Sequence, residues 1–574
     1  MRIVVTGIGV VSAIGINCDE TRQALLNEQS GIGPMRYLQS VHQLPVGEVK
    51  YTNEQLRQMA GVGEKPMPRS SLLGLIAARE ALVHANIKPS QNMAFISGTT
   101  VGGMDLTEQY WNEYLEGKHT ETIALHEAGE STLAIARELG SFGFVTTPST
   151  ACSSALNSIM VGADMLRTGQ AQCALVGGCE SLSLFHFNGF RTLMILDSEP
   201  CRPFDATRAG LNLGEGAGYL VIESETEALA RGAEILAYIG GYANTCDAFH
   251  QTASSENGEG AYLAMSKAIE MAQLQPHDID YINALGTATP NNDLSESAAL
   301  MRLFGSQMPA ISSTKAFTGH TTSASGGLEA AFCVMALRDG FVPANLRWEH
   351  TDDGLIQPTP HTLKKPLHHV LCNAFGFGGN ESSLVLCSQA VELSEADICD
   401  SLVKQIVSVE QTTPEEVASL VSPAEARRMT AQTRQLVAVA RKALRQAGIE
   451  LPDAILCATQ WGCMQQSMRF LLDMLQTNEQ ELKPTPFIQS THNTIASMIA
   501  IQTGNHGYNI TYAQGVESYA SAMQDVTNQM ALGRIKTALI LEFDEQVAEW
   551  DEVLKHIDCQ TQNIARAHVL SYQA

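Results

Sequence analysis

The stretch Thr150-Ala151-Cys152-Ser153-Ser154-Ala155 places a cysteine at a corner of the chain, between a strand-like run that ends near Thr147 and a helix-like run over residues 153–169. The N-terminus of a helix carries partial positive charge. This charge favours the thiolate, the form of cysteine that attacks carbonyl carbon. We therefore expect Cys152 to be a nucleophile at a strand-to-helix turn.

Strand-like and helix-like runs alternate on both sides of this corner. Residues 2–6, 93–97 and 174–176 are short apolar runs, and residues 72–85 are helical with a small-residue face. This alternation is typical of an α/β sandwich around a largely buried sheet. The chain has 574 residues, a length that corresponds to about three domains.

Composition excludes several classes of function. The formal net charge of −25 argues against a nucleic-acid surface and against general attraction to anionic membranes. The 13 cysteines are scattered without a CxxC pair, as in the reduced thiols of a cytosolic protein. The N-terminus lacks the apolar core of a signal peptide, and no uncharged apolar run approaches the roughly 20 residues of a membrane span. We expect a cytoplasmic protein.

The end of the chain repeats its beginning. Residues 391–425 are acidic and weakly periodic, which indicates a connector with one or two short helices. After it, Gly140 and Gly143 recur as Gly504 and Gly507, and residues 174–176 recur as residues 538–540, all at an offset of 364 residues. Ordered matches of this kind predict a degenerate repeat over residues 430–574. At this offset Cys152 falls on Val516, so we expect the repeat to have no nucleophile.

Three further blocks accompany Cys152: residues 283–290 followed by Asp293 and Glu296, residues 313–320, and residues 373–380. Each has an ordinary structural explanation when taken singly. A lone cysteine is usually a buried structural thiol, Lys315 a solvated charge, His320 a capping residue, and the glycine-rich residues 376–379 a tight hairpin. Their order and spacing together argue against those explanations.

Together these blocks resemble a β-ketoacyl-acyl-carrier-protein synthase, a condensing enzyme of the thiolase superfamily. Residues 4–12 and 202–218 are also similar to signatures of that family. The resemblance implies a five-layer αβαβα sandwich, usually dimeric, with its N-terminal half in residues 1–235 and its C-terminal half in residues 236–390. Residues 391–429 would be the linker, and residues 430–574 an additional half-thiolase α/β module.

The resemblance also implies roles for individual residues. Cys152 would accept an acyl group as a thioester, and its amide together with that of Phe377 would form the oxyanion hole. Phe377 would also gate the acyl pocket. His320 would support the nucleophile and bind malonyl thioester oxygen, and Lys315 would pair with Glu296.

The resemblance further assigns substrate binding to Thr287, Thr289, Phe375 and Gly378. It implies no metal and no bound cofactor. Acyl groups would arrive on the phosphopantetheine of an acyl carrier protein. Lys65 and Arg69 are the candidate basic patch for that acidic partner, although such charges usually form only a solvated face.

Leu285 departs from the family pattern, which has histidine before Gly-Thr-x-Thr. Leucine offers neither a hydrogen bond nor a proton to the enolate that forms when malonyl loses carbon dioxide. Loss of such assistance typically costs about 10²- to 10⁴-fold in rate. We therefore expect that Cys152 can still be acylated, but that condensation with malonyl carrier protein is slow or absent because decarboxylation is impaired.

Smaller departures are Ser323, Ser325 and Ala374, which can reshape the pocket. Residues 319–326 and 288–293 look most like synthases of bacterial aryl-polyene and flexirubin-type pigment pathways. The repeat resembles only the N-terminal half of a ketosynthase, so His492 within it has no nucleophile to serve. A half-module of this kind is expected to bury one face against residues 1–390 or against another chain.

Three functions remain open at this point. The first is a ketosynthase that extends an acyl or aryl-polyene chain with malonyl units, which Cys152, Lys315 and His320 favour. The second is a non-condensing partner, similar to a chain-length factor, in a heterodimer with an active synthase. Leu285 and the repeat without a nucleophile favour it, and the retained cysteine argues against it. The third is an acyltransferase or thioesterase that uses Cys152 without decarboxylation.

Overall fold

The computed structural model describes residues 1–391, 402–427 and 429–573. Most of the acidic part of the predicted connector, residues 392–401, lies outside the described residues. The strands of the first 391 residues are β1 (Ile3–Ser12), β2 (Met93–Gly98), β3 (Phe144–Thr146), β4 (Cys173–Glu180), β5 (Gly216–Ser224), β6 (Ala237–Cys246), β7 (Tyr281–Asn283), β8 (Ala310–Ser312), β9 (Phe341–Val342), β10 (Leu363–Lys364), β11 (His369–Gly376) and β12 (Asn380–Cys387).

The helices of this part are α1 (Cys18–Leu26), α2 (Asn53–Ala60), α3 (Arg69–His84), α4 (Met104–Leu115), α5 (Ala128–Leu139), α6 (Ser154–Arg167), α7 (Leu184–Thr192), α8 (Glu225–Ala230), α9 (Glu259–Met271), α10 (Pro290–Phe304), α11 (Lys315–Thr318) and α12 (Ser325–Asp339).

The strands of the first part form two similar halves. They hydrogen-bond in the order β3-β2-β4-β5-β1-β6-β12-β11-β7-β8, and the two halves meet where β1 pairs with β6. Helices α6 and α12 are buried along nearly their whole length between the two half-sheets. Helix α3 covers β1 and β5 on one outer face, and α9 covers β6 and β12 on the other. The expected five-layer αβαβα sandwich is confirmed.

The C-terminal part contains β13 (Leu402–Val409), α13 (Pro414–Leu420), α14 (Pro423–Ala426), α15 (Ala431–Ala447), β14 (Ala454–Ala458), α16 (Met464–Gln476), α17 (Pro484–Ile488), α18 (Thr494–Thr503), β15 (Tyr508–Tyr512), α19 (Ser518–Ala531), β16 (Thr537–Asp544), α20 (Ala548–Leu554) and β17 (Ile564–Gln573). We call residues 402–573 the C-terminal module.

The sheet of the C-terminal module copies the first half-sheet. Its order, β15-β14-β16-β17-β13, matches β3-β2-β4-β5-β1 strand for strand. Strand β13 is therefore the counterpart of β1, and the repeat begins at residue 402 rather than at residue 430. Sequence reasoning placed this strand in the connector because several of its side chains are exposed, which weakens its apolar pattern. The two short helices expected in the connector are α13 and α14.

The repeat extends to the nucleophile turn. Ala151 begins a short 3₁₀ turn with φ +54°, and Gly515 begins the equivalent turn of the C-terminal module with φ +59°. The residue after Gly515 is Val516, which is 82% exposed. The module thus keeps the shape of the turn without the thiol.

The C-terminal module docks on the first half through equivalent edges. The Ser149 amide donates to the Thr511 carbonyl at 2.8 Å, and the Ala513 amide donates to the Thr147 carbonyl at 2.9 Å. At the offset of 364 residues, Thr511 and Ala513 are the equivalents of Thr147 and Ser149, so the contact has approximate two-fold symmetry. Helices α6 and α19 pack together beside it. Of the two arrangements expected for the half-module, packing on residues 1–390 or on another chain, the structure shows the first.

Among the described helices, none is both long and apolar enough to span a bilayer.

Candidate active site

Cys152 lies in the turn just before α6 and lines a cavity together with residues of both halves. Its Sγ is 3.1 Å from Nε2 of His320, and the Phe377 backbone amide lies near enough to lower the pKa of the thiol. Strand β11 ends beside the turn so closely that a Cβ on Gly376 would lie 3.0 Å from the Cys152 nitrogen. Glycine at this position lets the Phe377 amide reach the nucleophile.

The resting pair is a thiol and a neutral imidazole. Burial raises the pKa of Cys152 to about 12, although Lys315 and the Phe377 amide act in the opposite direction. Burial lowers the pKa of His320 well below its usual value, and the positive charge of Lys315 acts in the same direction. The expected resting thiolate is therefore not favoured, because desolvation opposes charge more strongly than the positive neighbours support it. The thiolate has to form as the substrate arrives.

Ser325 contacts the His320 imidazole at Nδ1, the ring nitrogen that does not face Cys152. Its Oγ lies 3.1 Å from Nδ1 of His320, and the Thr321 hydroxyl lies 3.2 Å from the same Oγ. Ser325 was noted in the sequence only as a departure from a glycine- and alanine-rich segment. The structure gives it a contact with the His320 ring.

The predicted pairing of Lys315 with Glu296 is wrong. Lys315 Nζ lies 2.6 Å from Glu329 Oε1, and both side chains are buried. Glu296 instead accepts the amides of Leu285 at 2.9 Å and Gly286 at 2.8 Å. The reason is positional: α12 presents Glu329 to Lys315, whereas α10 presents Glu296 to the loop after β7. A lone acid inside the apolar run of α12 was the available signal for Glu329.

A cavity of about 410 Å³ opens on one side of Cys152. Three of the four predicted substrate-binding residues line it: Thr287, Thr289 and Phe375. Leu285 and the predicted catalytic residues His320 and Phe377 line it as well. The hydroxyls of Thr287 and Thr289 are 2.8 Å apart. Leu285 is 2% exposed and packs in an apolar cluster, so this wall carries a hydrocarbon surface where an imidazole was expected.

Gly378 is not among the described residues that line the cavity. Its φ of +86° makes the turn between β11 and β12. Its amide donates to the Gln251 carbonyl at 2.7 Å, and its carbonyl accepts from Ser497 of the C-terminal module at 2.9 Å. Asn493 also donates to the Phe377 carbonyl at 2.8 Å. The structure therefore gives Gly378 an anchoring role and not the expected substrate contact.

A second, smaller cavity of about 70 Å³ lies on the other side of Cys152, between the first half and the C-terminal module. Phe377 borders both cavities and stacks on Phe190 at 5.6 Å between ring centres. The module supplies Trp461, Phe487 and His492 to the wall. Sequence reasoning missed this contribution, because nothing in the repeat alone shows which face it docks.

His492 belongs to the contact between the two parts. Its Nδ1 lies 2.9 Å from the Ser149 hydroxyl, and its ring packs where a Cβ on Gly462 would lie. Burial lowers the pKa of His492 to about 4. The ring is therefore neutral at ordinary pH and serves as a wall of the small cavity.

Only one of the two residues proposed as a carrier-protein patch is exposed to solvent. Lys65 is exposed and lies 2.6 Å from Glu138. Arg69 is 7% exposed and lies 2.6 Å from Glu215. Arg69 cannot meet a docking protein, because Glu215 and the surrounding carbonyls hold its guanidinium inside the fold. Within the described ranges, no group of three or more His, Cys, Asp or Glu side chains is arranged to hold a metal ion.

Comparisons with known proteins agree with this geometry. Residues 1–228 match a family model described as the N-terminal domain of β-ketoacyl synthase, and residues 236–349 match its C-terminal domain. A second N-terminal domain model matches residues 403–573. The 3-oxoacyl-[acyl-carrier-protein] synthase 2 of Vibrio harveyi is 32% identical over 406 residues, covering 67% of this chain and 98% of the relative.

Solved structures that resemble this chain are also ketosynthases. The ishigamide ketosynthase/chain length factor is 31% identical with a TM-score of 0.63, over 68% of this chain and 99% of that one. The PfaC keto synthase-chain length factor is 18% identical with a TM-score of 0.80, over 99% of this chain and 78% of that one. At that identity the second likeness concerns the fold alone, and it includes the C-terminal module.

Proposed function

The chain belongs to the β-ketoacyl synthase family, and we propose that it is a condensing acyltransferase that loads an acyl group onto Cys152 and joins it to a malonyl unit. An acyl carrier protein delivers both groups on its phosphopantetheine. The observation that carries the proposal is the contact of Cys152 Sγ with His320 Nε2 at 3.1 Å, beside the Phe377 amide and open to two cavities.

Loading of the acyl group follows from this geometry. As Sγ attacks the thioester carbon, its proton passes to Nε2 of the neutral His320. The carbonyl oxygen becomes an oxyanion that accepts hydrogen bonds from the amides of Cys152 and Phe377. Each such donor is typically worth about 3 kcal/mol. The tetrahedral intermediate then expels the carrier thiolate, which takes the proton back from His320, and the acyl group remains on sulfur.

Leu285 limits the second half of the reaction. Malonyl decarboxylation places negative charge on the thioester oxygen, and His320 is the imidazole that borders the cavity beside the buried Leu285. We therefore propose that loading proceeds normally and that condensation is slow. The loss corresponds to the roughly 10²- to 10⁴-fold contribution of general acid–base assistance.

The test separates the two steps. Mass spectrometry of Cys152 after incubation with acyl carrier protein is expected to show the acyl adduct, and Cys152→Ala should show none. Release of carbon dioxide from malonyl carrier protein should be slow and should rise about 10²-fold in Leu285→His. Rapid decarboxylation by the unaltered protein, with no gain from Leu285→His, would contradict the proposal.

A second candidate function is a non-condensing partner of an active ketosynthase, similar to a chain-length factor. The buried Leu285 favours it. A tight complex with a second ketosynthase on purification from the native host, together with absence of a Cys152 adduct, would establish it. An adduct that turns over without carbon dioxide release would instead indicate a half-reaction acyltransferase or thioesterase.

We also propose that the protein forms a dimer, either with a second copy of itself or with another ketosynthase. The segment that follows β3, including Thr147 and Ser149, is already covered by the C-terminal module. A homodimer, or a heterodimer with another ketosynthase, would therefore use a different surface. The aryl-polyene or flexirubin-type assignment is proposed from residues 288–293 and 319–326. Loading of aryl-polyene and saturated acyl carrier proteins in competition tests it.

A further inference from the structure

An acid that the mechanism has not used lies in the large cavity. Glu381 is the second residue of β12 and pairs across the sheet with Phe375. It lines the same cavity as Cys152, Leu285 and His320, and it is 4% exposed. A carboxyl group thus lies in the chamber where the malonyl unit has to react.

The carboxyl of Glu381 lacks the partners that other buried acids of the site have. Among the described residues, its Oε2 is buried with no hydrogen-bond partner. By contrast, Glu296 accepts two amides. Glu329, like Glu381, has an Oε2 with no hydrogen-bond partner in the described ranges, but its Oε1 pairs with Lys315. A buried carboxylate without donors is costly. Burial, together with the nearby acids Asp247 and Glu296, raises the pKa of Glu381 well above its usual value. The group is therefore favoured as a neutral carboxylic acid that has a proton to donate.

The position of Glu381 is fixed by its neighbour. The Asn380 side chain accepts hydrogen bonds from Ser153 at 2.7 Å and Asn157 at 2.9 Å, and it also donates to the Asn509 carbonyl of the C-terminal module. Glu381, Cys152 and Leu285 all line the large cavity. The acid therefore borders the same space as the thiol and the loop from which the histidine is missing.

We propose that Glu381 is a further catalytic residue, whose carboxylic acid donates a hydrogen bond to the malonyl thioester oxygen while carbon dioxide leaves. This inference rests on the proposed condensing function. As the bond to the carboxylate breaks, its electron pair forms an enolate whose oxygen accepts from Glu381. The enolate carbon then attacks the acyl carbon on Cys152, its carbonyl re-forms, and the carbon–sulfur bond breaks to release the Cys152 thiolate. Glu381 keeps its proton throughout. A neutral carboxylic acid used as a donor is an established catalytic device.

Two variants of nearly equal volume test this role in the full-length protein. Glu381→Met removes the donor, and Glu381→Gln keeps an N–H donor in its place. With malonyl carrier protein as the probe, carbon dioxide release in Glu381→Met is expected to fall about 10²-fold with little change in KM, whereas Glu381→Gln keeps most of the rate. Acylation of Cys152 should be unchanged in both variants, and Glu256→Ala, a change at an exposed acid, is the surface control.

A rescue experiment completes the test. Adding Leu285→His to Glu381→Met is expected to restore decarboxylation, because an imidazole then supplies the lost donor. Wild-type rates in Glu381→Met overturn the inference, as does an equal loss in Glu381→Gln. Cys152 acylation without any carbon dioxide release by the unaltered protein also overturns it, while the acyltransferase assignment stands. Absence of Cys152 acylation overturns both.

Discussion

The reactivity of Cys152 is governed by its burial. Because the pKa of its thiol is raised to about 12, the thiolate fraction should increase about tenfold with each pH unit below that value. Alkylation by iodoacetamide, followed at the Cys152 peptide by mass spectrometry, should therefore keep rising from pH 7 to pH 10. Free glutathione is the control and should level off near the usual cysteine pKa of about 8.5. A plateau for Cys152 below pH 8 would indicate a resting ion pair with His320 instead.

At this scale the sequence predicted identities better than contacts. Cys152, His320 and Phe377 were found from motif order, and the structure brings all three together. The partner of Lys315 was missed because motif spacing does not show which helix face meets it. Glu381 was missed because a glutamate within a strand resembles an ordinary solvent-facing residue. Only the folded cavity shows that it is buried.

The docking of the C-terminal module depends on close contact between elements. A Cβ on Gly129, in the first turn of α5, would lie 2.7 Å from the Gln514 Cα beside the module's empty nucleophile turn. Gly129→Ala should therefore destabilise the protein by about 1–3 kcal/mol, the usual cost of overpacking. The measurement is the free energy of unfolding in denaturant.

Gly33→Ala is the matched control, because a Cβ on Gly33 meets no atom within 4 Å. It should change stability by less than about 0.5 kcal/mol. An exposed helix would gain about 1 kcal/mol from glycine to alanine. A gain of that kind at Gly129 would show that the module does not press on α5.

The elements of the first part followed from the alternation of short apolar runs and small-residue helices, and the sandwich was predictable from them. The start of the C-terminal module was not. Among the described strands, β13 pairs on one side only, with β17, and its polar side chains resemble those of a connector. Its counterpart β1 pairs on both sides and is buried throughout. Equivalent strands of a repeat thus differ in sequence pattern because their surroundings differ.

The whole molecule combines the sandwich of residues 1–391 with a C-terminal module that copies the N-terminal half of that sandwich. Without the C-terminal module, the edge at Thr147 and Ser149 would lose its partner strand, and Trp111, which stacks on Trp550 at 6.0 Å between ring centres, would be uncovered. Because the contact pairs equivalent positions, the same edge can pair with a second copy of itself. Residues 1–391 expressed alone are therefore expected to dimerise, as measured by light scattering after size exclusion.

The full-length chain at the same concentration is the control, since its edge is already covered. Ser149→Pro in the shortened chain removes the amide that donates across the contact and should weaken the dimer. A stable monomer of residues 1–391 at every concentration would show that the edge is not self-complementary.

The approximate two-fold contact has a consequence for how the protein behaves on dilution. A wall supplied by a separate subunit is lost when subunits dissociate, whereas a wall carried on the same polypeptide has an effective concentration set by the chain itself. The small cavity beside Cys152, whose wall includes Trp461 and Phe487, should therefore keep that wall at any protein concentration. Each polypeptide therefore carries one copy of the turn with a thiol, at Cys152, and one copy without, at Val516.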